Sequence, residues 1–307
     1  MPVERSLCVV CATAVNRSDR QAARDLDLPP EFRVMRCPVC GLRWLDPMPT
    51  AEEYRLMYEV LYFGGSKDVP GWMRQFSAQP YQDNVLGQRR DAYRRRLARL
   101  AGAFPARGTL LDVGLASGEF ALMAQQDGWQ VAGLDVSASA CELARTQGVR
   151  AWAGALEEID FSGERFDVIH LSHVFEHFVD PPAALRVMRG LMAPGSLLLI
   201  EVPNQFDSWV RRLARSARRL GLLAPTRRSI WSIHHPYFYN RQTLARLVLG
   251  AGFELEWLCS HFPERWRSSP LRRLLGAVDL IADRLQRCGD DIELAVRLAP
   301  ALREPMG

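Results

Sequence analysis

The sequence is almost without lysine. Lys67 is the only one, so 38 of the 39 basic residues are arginine. A bias that pervades the chain has the mark of genomic composition, and no single arginine cluster identifies a partner by itself. The formal net charge of +4 is modest and does not on its own mark a nucleic-acid binder. Also missing is any apolar run near the ~18 residues needed to cross a bilayer. The opening MPVERSLCVVC has no signal-peptide core, because Glu4, Arg5 and Ser6 interrupt it. These absences lead to the expectation of a cytoplasmic protein. No internal repeat or low-complexity tract is present. The G-x-G-x-x-G fingerprint of dinucleotide sites is absent too, which leaves an oxidoreductase a distant second reading.

At 307 residues, nearly half of them apolar, the chain has room for one large domain, or a medium one with a small companion. Its seven cysteines are unevenly placed. Four fall within the first forty residues as two pairs, Cys8-Val-Val-Cys11 and Cys37-Pro-Val-Cys40. That spacing lets both sulfurs of a pair face one small ion, and Gly41 permits the tight turn of a knuckle. Structural zinc held by Cys8, Cys11, Cys37 and Cys40 is preferred over a redox dithiol or four unrelated thiols. Such a site is closed to catalysis. The polar spacer over 12–36 reads as a loop, and Cys141, Cys259 and Cys288 read as small core residues. Thr50 with Glu53 makes a capping box for a helix. A second helix is predicted over 81–101, with Val85, Leu86, Tyr93, Leu97 and Leu100 along one stripe. The divisions expected are a zinc-ribbon-like module over 1–48, a helical linker over 49–105 and a main domain over 106–307. Helical insertions are placed near 205–233 and 262–290.

From Thr109 short apolar strands alternate with helices. Strands fit 109–113, 130–134, 149–153, 166–172 and 196–202, and helices fit 118–127, 137–146, 181–192 and 240–251. This is the pattern of an α/β, doubly wound parallel sheet, which binds ligands at the carboxyl ends of its strands. The stretch LLDVGLASGEF ends a strand in Asp112 and enters a turn with Gly114, Ala116 and Gly118 at every second position. That spacing resembles the first motif of class I S-adenosylmethionine-dependent methyltransferases. Ala116 stands for the middle glycine, which is tolerable if its φ is negative. Asp135, ending the second strand 23 residues after Asp112, is placed to accept both ribose hydroxyl hydrogens. AGALEEIDF resembles the family's adenine-binding stretch, and FDVIHLSHVFEH its fourth strand and following loop. LMAPGSLLLIEVPN resembles the fifth strand. AGFELEWL and DIELAVRLAP are a candidate antiparallel pair closing a Rossmann-like seven-stranded sheet. The resemblance implies S-adenosylmethionine as cofactor, with Asp112 organising the turn and the cofactor's amino-acid end. It places Gly114, Ala116, Gly118, Asp135, Val136, Ala155, Leu156, Leu171 and His173 around the ligand.

All six histidines lie between 170 and 261. HVFEH over 173–177 matches the H-x-x-E-H of a zinc peptidase, but Pro181 leaves no room for a long helix. The resemblance instead runs this loop over the cofactor, with His173 near it, His177 facing the acceptor and Glu176 between them. SIHHPYFYNRQTL is similar to a stretch of sugar C-methyltransferases and polysaccharide-associated methyltransferases that carries a histidine base. Those proteins also begin with a zinc-binding module. On that resemblance His235 is the candidate base and His177 a second active-site histidine. The alternative is that both only shape the cavity. Methyl transfer is an in-line displacement, and the acceptor must lose a proton, which favours a neutral histidine with a pKa near the working pH. The acceptor implied is a sugar, a glycan or glycolipid, or a small metabolite. A zinc-ribbon-containing ribosomal RNA methyltransferase is the rival reading, and a non-catalytic binding module a second. VPN is not the motif of amino-group methylation on bases, so nucleic acid is not the expected acceptor. Two basic amphipathic segments, 206–229 and 269–287, are open to three readings: a substrate cap, peripheral contact with the inner face of a membrane, or helices packed on the sheet.

Overall fold

The computed structural model describes residues 7–63, 89–223, 234–261 and 289–299. The spacer over 12–36, expected as a loop, instead carries helix α1 (Arg20–Asp25) and ends in strand β1 (Arg33–Arg36). Asp19 caps α1 by accepting the Ala22 backbone N–H at 3.0 Å. Ala22, Leu26, Phe32 and Val34 then bury against Leu45, Tyr54 and Met57. Four apolar anchors scattered through a polar segment are too few for a periodic signal, which is why the helix escapes a sequence reading. Strand β2 (Arg43–Asp46) pairs antiparallel with β1. Helix α2 (Ala51–Phe63) begins at the expected capping box. The Thr50 N–H donates to Glu53 Oε2 at 2.7 Å, and the Glu53 N–H donates to Thr50 Oγ1 at 3.2 Å.

Helix α3 (Arg90–Ala103) leads into the main sheet; residues 81–88 of the expected helix lie outside the described residues. The chain then runs through β3 (Thr109–Val113), α4 (Glu119–Gln126), β4 (Gln130–Asp135), α5 (Ala138–Thr146) and β5 (Arg150–Ala153). Next come β6 (Phe166–Ser172), α6 (Pro181–Gly190), β7 (Met192–Pro203) and α7 (Trp209–Arg219). The last elements are β8 (Tyr237–Phe238), α8 (Arg241–Gly250), β9 (Phe253–His261) and β10 (Asp291–Leu298). Seven strands form one sheet in the order β5-β4-β3-β6-β7-β10-β9, with β10 antiparallel to both its neighbours. This is the Rossmann-like architecture expected, including its closing antiparallel pair. Strand alternation divides the interior in two. Leu110, Val168, Leu197 and Leu199 face α3, α4 and α5, whereas Leu111, Ile169, Leu198 and Ile200 face α6 and α8.

Strand β8 does not join that sheet. It pairs with β2, Trp44 opposite Tyr237 and Arg43 opposite Phe238, and the Leu45 N–H donates to the Pro236 carbonyl at 2.9 Å. Cys8, Cys37, Cys40 and Trp44 share one apolar cluster with Leu111, Ile169 and Met188. The cysteine module and the main domain therefore have a common core.

Glu201 on β7 stands directly opposite Glu293 on β10, and both are buried. Two carboxylates facing each other across a ladder repel unless a cation lies between them. Arg96 of α3, 2% exposed, supplies it by pairing with Glu201 and reaching Glu293 Oε2 at 3.1 Å. Trp257 adds its Nε1–H to Glu293 at 3.0 Å. Arg96 is thus one arginine that composition alone does not explain. Replacing it (Arg96→Met) removes the buried cation between the two carboxylates, leaves Glu293 to half-exposed Arg99 and Glu201 to Ser172 and Arg89, and should lower unfolding free energy by about 3–5 kcal/mol. Urea denaturation checks this, with exposed Arg94→Met as a control expected to shift stability by less than about 0.5 kcal/mol.

Candidate active site

The carboxyl ends of β3, β4, β6 and β7 share one edge of the sheet, where doubly wound folds bind ligands. The turn leaving β3 is left-handed at three positions, with φ of +74° at Gly114, +47° at Ala116 and +76° at Gly118. A Cβ added to Gly114 would lie 2.2 Å from Val174 Cγ2, so glycine is required there by the close approach of the loop after β6. Gly118 is the N-cap of α4, and its backbone conformation, more than tight helix packing, explains its glycine. Ala116 departs from expectation. Its φ is positive where a negative value was anticipated, which costs roughly 1–2 kcal/mol. A hydrogen bond compensates in part: the Ala116 N–H donates to Asp135 Oδ2 at 2.9 Å. Ser137 donates its N–H to Asp135 Oδ1, also at 2.9 Å.

Asp135 ends β4 half-buried at this edge, and each oxygen retains capacity for another donor. Burial raises its pKa to about 6, against the two backbone N–H groups that favour the ionised form. Val136 is exposed beside it, and Ala155 is half-exposed. Asp112 lies one residue before the end of β3. It is 3% exposed and accepts the Nδ1–H of His170, its register partner on β6, at 2.8 Å. His170 in turn stacks on Phe120 with centroids 3.7 Å apart. Leu156 and Leu171 are core side chains, so only their backbone is available to a ligand.

Beyond β6 the chain turns at His173, φ +56°, into one 3-10 turn over Phe175–His177. Glu176 is 1% exposed and does lie between the histidines. Its Oε1 is 3.7 Å from His173 Nδ1 and 3.8 Å from both His177 Nε2 and His235 Nε2. Neither of its oxygens has a hydrogen-bond partner. The Nδ1–H of His177 donates to the His234 carbonyl at 2.6 Å, and that of His235 donates to Gln205 Oε1 at 3.0 Å. Both rings consequently carry their lone pair on Nε2. His173 Nε2 faces Glu201 at 3.6 Å and Asp291 at 3.8 Å. Burial pushes His177 down to about 4 and His173, His234 and His235 well below the usual imidazole range, while it lifts Glu176 well above the carboxylate range. The histidines are neutral, as a proton acceptor must be, but their pKa values lie further from neutrality than anticipated. Gln205 had no sequence signal, being a lone amide past the β7 exit. Glu201 and Asp291 had one: a charge inside, or at the start of, an apolar strand.

The four cysteines converge as their spacing suggests. Cys8 and Cys40 sulfurs are 3.5 Å apart, as are those of Cys11 and Cys37, and all four lie within 4.8 Å of one another. Thiolates around a tetrahedral zinc ion stand about 3.8 Å apart, so the donor set fits. The Cys40 N–H points to Cys37 Sγ at 3.5 Å, a contact that suits a charged sulfur.

A family model described as a methyltransferase domain matches residues 85–257. The chain belongs to that family. It is an S-adenosylmethionine-dependent methyltransferase on the fold described above. It is 26% identical over 171 residues to a ubiquinone biosynthesis O-methyltransferase of Xanthomonas axonopodis pv. citri (strain 306), covering 53% of this chain and 70% of that one. It is 28% identical over 116 residues to the protein of the same name from Serratia proteamaculans (strain 568), covering 36% and 47%. Among solved structures, the 1,6-didemethyltoxoflavin-N1-methyltransferase of Burkholderia thailandensis aligns with a TM-score of 0.52 and 14% identity, over 89% of this chain and 97% of that one. At that identity the likeness is one of fold.

The strain in this methyltransferase's glycine turn is measurable. Ala116→Gly relieves the left-handed alanine at a smaller cost in unfolded-chain entropy, and should raise stability by about 0.5–1 kcal/mol. Gly114→Ala should lower it by about 1–3 kcal/mol through the clash with Val174. Thermal melting of both variants checks the pair, since a destabilised Ala116→Gly would mean the alanine is not strained.

Proposed function

We propose that this methyltransferase binds S-adenosylmethionine over the 114–118 turn and Asp135, and methylates a hydroxyl of a small or glycan acceptor held at the histidine cluster. The observation that carries the reading is the contact between Gly114 and Val174. It sets the cofactor turn against the loop bearing His173 and Glu176, as a direct in-line transfer requires. S-adenosylmethionine, when bound, supplies an electrophilic methyl group on a sulfonium. Asp135 would take the ribose hydroxyls, Val136 and Ala155 would flank the adenine, and the backbone of Leu156 and Leu171 would complete the crevice. Asp112 would act at one remove, holding His170 and so the ends of β3 and β6. His235 would accept the acceptor's proton at Nε2, with His177 orienting the acceptor and Glu176 between them. The O-methyltransferase names of the relatives support a hydroxyl, and the similarity of HHPYFYN to sugar methyltransferases supports a glycan or sugar.

The cysteine module would hold one structural zinc ion through Cys8, Cys11, Cys37 and Cys40. Helix α7 turns Arg215 and Arg219 inward to Asp25, and Arg211 to Asp290. Its other side leaves Leu213 and Leu220 exposed, which supports peripheral contact with a lipid surface when the acceptor is lipid-linked. The second basic segment, 269–287, lies outside the described residues. Among those described, no helix is long and apolar enough to cross a membrane.

Two measurements test the reading. Ribose hydroxyls donate to an ionised carboxylate, so protonating Asp135 opposes binding. With its pKa raised to about 6, affinity for S-adenosylmethionine should be level above that pH and fall by up to about tenfold per unit below it. Calorimetry across pH reads this, and Asp135→Asn should flatten the profile at weak affinity. A wild-type profile that stays level well below pH 6 removes Asp135 from the site. For the acceptor side, His235→Ala should lower turnover by ~10²–10⁴ while leaving cofactor affinity intact. An unchanged kcat would reduce the histidines to cavity walls.

A further inference from the structure

Glu176 poses a problem that the methyl-transfer reading does not solve. Its carboxyl is buried, and neither oxygen makes a hydrogen bond. Leaving such a group unanswered costs at least about 1–3 kcal/mol. Three imidazole nitrogens approach its Oε1: His173 Nδ1 at 3.7 Å and, as a pair, His177 Nε2 and His235 Nε2, each at 3.8 Å. The paired Nε2 atoms are the lone-pair nitrogens of their rings, because Nδ1–H is committed to the His234 carbonyl in one and the Gln205 amide oxygen in the other. Three acceptor atoms thus converge on one small volume. A proton does not resolve the arrangement. At 3.8 Å neither contact is a hydrogen bond, and one carboxyl proton reaches only one of the two nitrogens.

Fixing a histidine by its outer Nδ1–H and aiming Nε2 inward is how proteins orient metal ligands. One ring nitrogen from each of His177, His234 and His235 also lies within 4.8 Å of the other two. Ligand atoms around a tetrahedral ion at ~2.1 Å stand about 3.4 Å apart, so Glu176 Oε1, 3.8 Å from each Nε2, is within a few tenths of an ångström of ligand spacing to both rings. We infer that His177, His235 and Glu176 bind a divalent first-row transition-metal ion, separate from the four-cysteine site. Two imidazoles and one carboxylate suit zinc, iron(II), cobalt or manganese, whereas magnesium and calcium prefer oxygen ligands. The last two residues of the His-x-x-Glu-His spacing supply ligands, while His173, with Nδ1 3.7 Å from Glu176 and Nε2 facing Glu201 and Asp291, links the site to the neighbouring carboxylates.

The ion's role rests on the reading that the acceptor enters this pocket. There it would replace a bare imidazole as the group that acidifies the hydroxyl. The O–H bond gives its proton to solvent water. The oxygen then bonds the methyl carbon as the C–S bond breaks, and sulfur keeps that electron pair as a neutral thioether.

Cobalt(II) titration of the metal-stripped full chain tests the inference, because thiolate and nitrogen/oxygen ligation have different visible spectra. The wild type should take up about two equivalents with both signatures. Glu176→Gln and His235→Ala should each fall to about one equivalent, keeping the thiolate bands and losing the others. Uptake of one equivalent by the wild type, or nitrogen/oxygen bands unchanged in both variants, would overturn the site. The acceptor reading fails separately. Turnover lost in His235→Ala with cobalt uptake unchanged sinks the ion and leaves the acceptor in place. Turnover retained after the second cobalt is lost keeps the ion and removes the acceptor from the pocket.

Discussion

The pairing of β2 with β8 is the contact on which the candidate active site depends. β8 is two residues long, and among the described residues β2 is its ladder partner. His235 precedes it by one proline, so its backbone is placed by the cysteine module while Gln205, just past β7, fixes its ring. An aromatic path runs along the same joint. Trp44 is fully buried opposite Tyr237, Tyr237 stacks on Tyr239 at 5.9 Å, and Tyr239 meets Phe175 at 5.6 Å, next to Glu176. Packed aromatics transmit displacement poorly tolerated by their neighbours. Whatever gathers the four sulfurs therefore also sets the geometry of the histidine cluster.

Two buried acidic centres lie close together at the carboxyl edge of the sheet, and they are treated in opposite ways. Glu201 and Glu293 are closed by Arg96, with Trp257 and Ser172 completing the shell. Glu176 has lone-pair nitrogens where those carboxylates have guanidinium. The first arrangement locks β7 to β10 and α3. The second leaves a polar centre with unmet demand, and sites of that kind are where ligands and ions bind. His173 bridges the two, within 3.7 Å of Glu176 and 3.6 Å of Glu201, so a charge acquired at one is felt at the other.

The parallel sheet was legible because its strands are apolar runs bounded by glycine turns, and the closing pair because FELEWL and DIELAVRL alternate. The glycine turn and the strand-end place of Asp135 were legible for the same reason: a left-handed turn and a carboxylate closing an apolar strand are local features. The negative φ on which Ala116 was held tolerable is not what the turn adopts, since the sign of φ depends on how the turn meets Asp135. Helix α1 stayed hidden because its burial comes from residues far along the chain, Phe206 and Phe238 among them. The inward aim of His177 and His235 was out of reach for a related reason. It depends on a carbonyl and a glutamine that only the folded chain brings to each ring.

The module that comes first in the chain is completed by a strand from near its end. β1 and β2 leave the ribosome early, but their sheet gains its third strand only when Tyr237 and Phe238 follow. At ordinary elongation rates that interval is roughly ten to forty seconds. During it the cysteine module lacks the strand that sets Tyr237 opposite Trp44. An ion held by the four cysteines would be captured before closure, and the main sheet would then mature on a module already ordered. Vectorial synthesis makes the amino-terminal cysteines a template onto which the histidine segment is later laid.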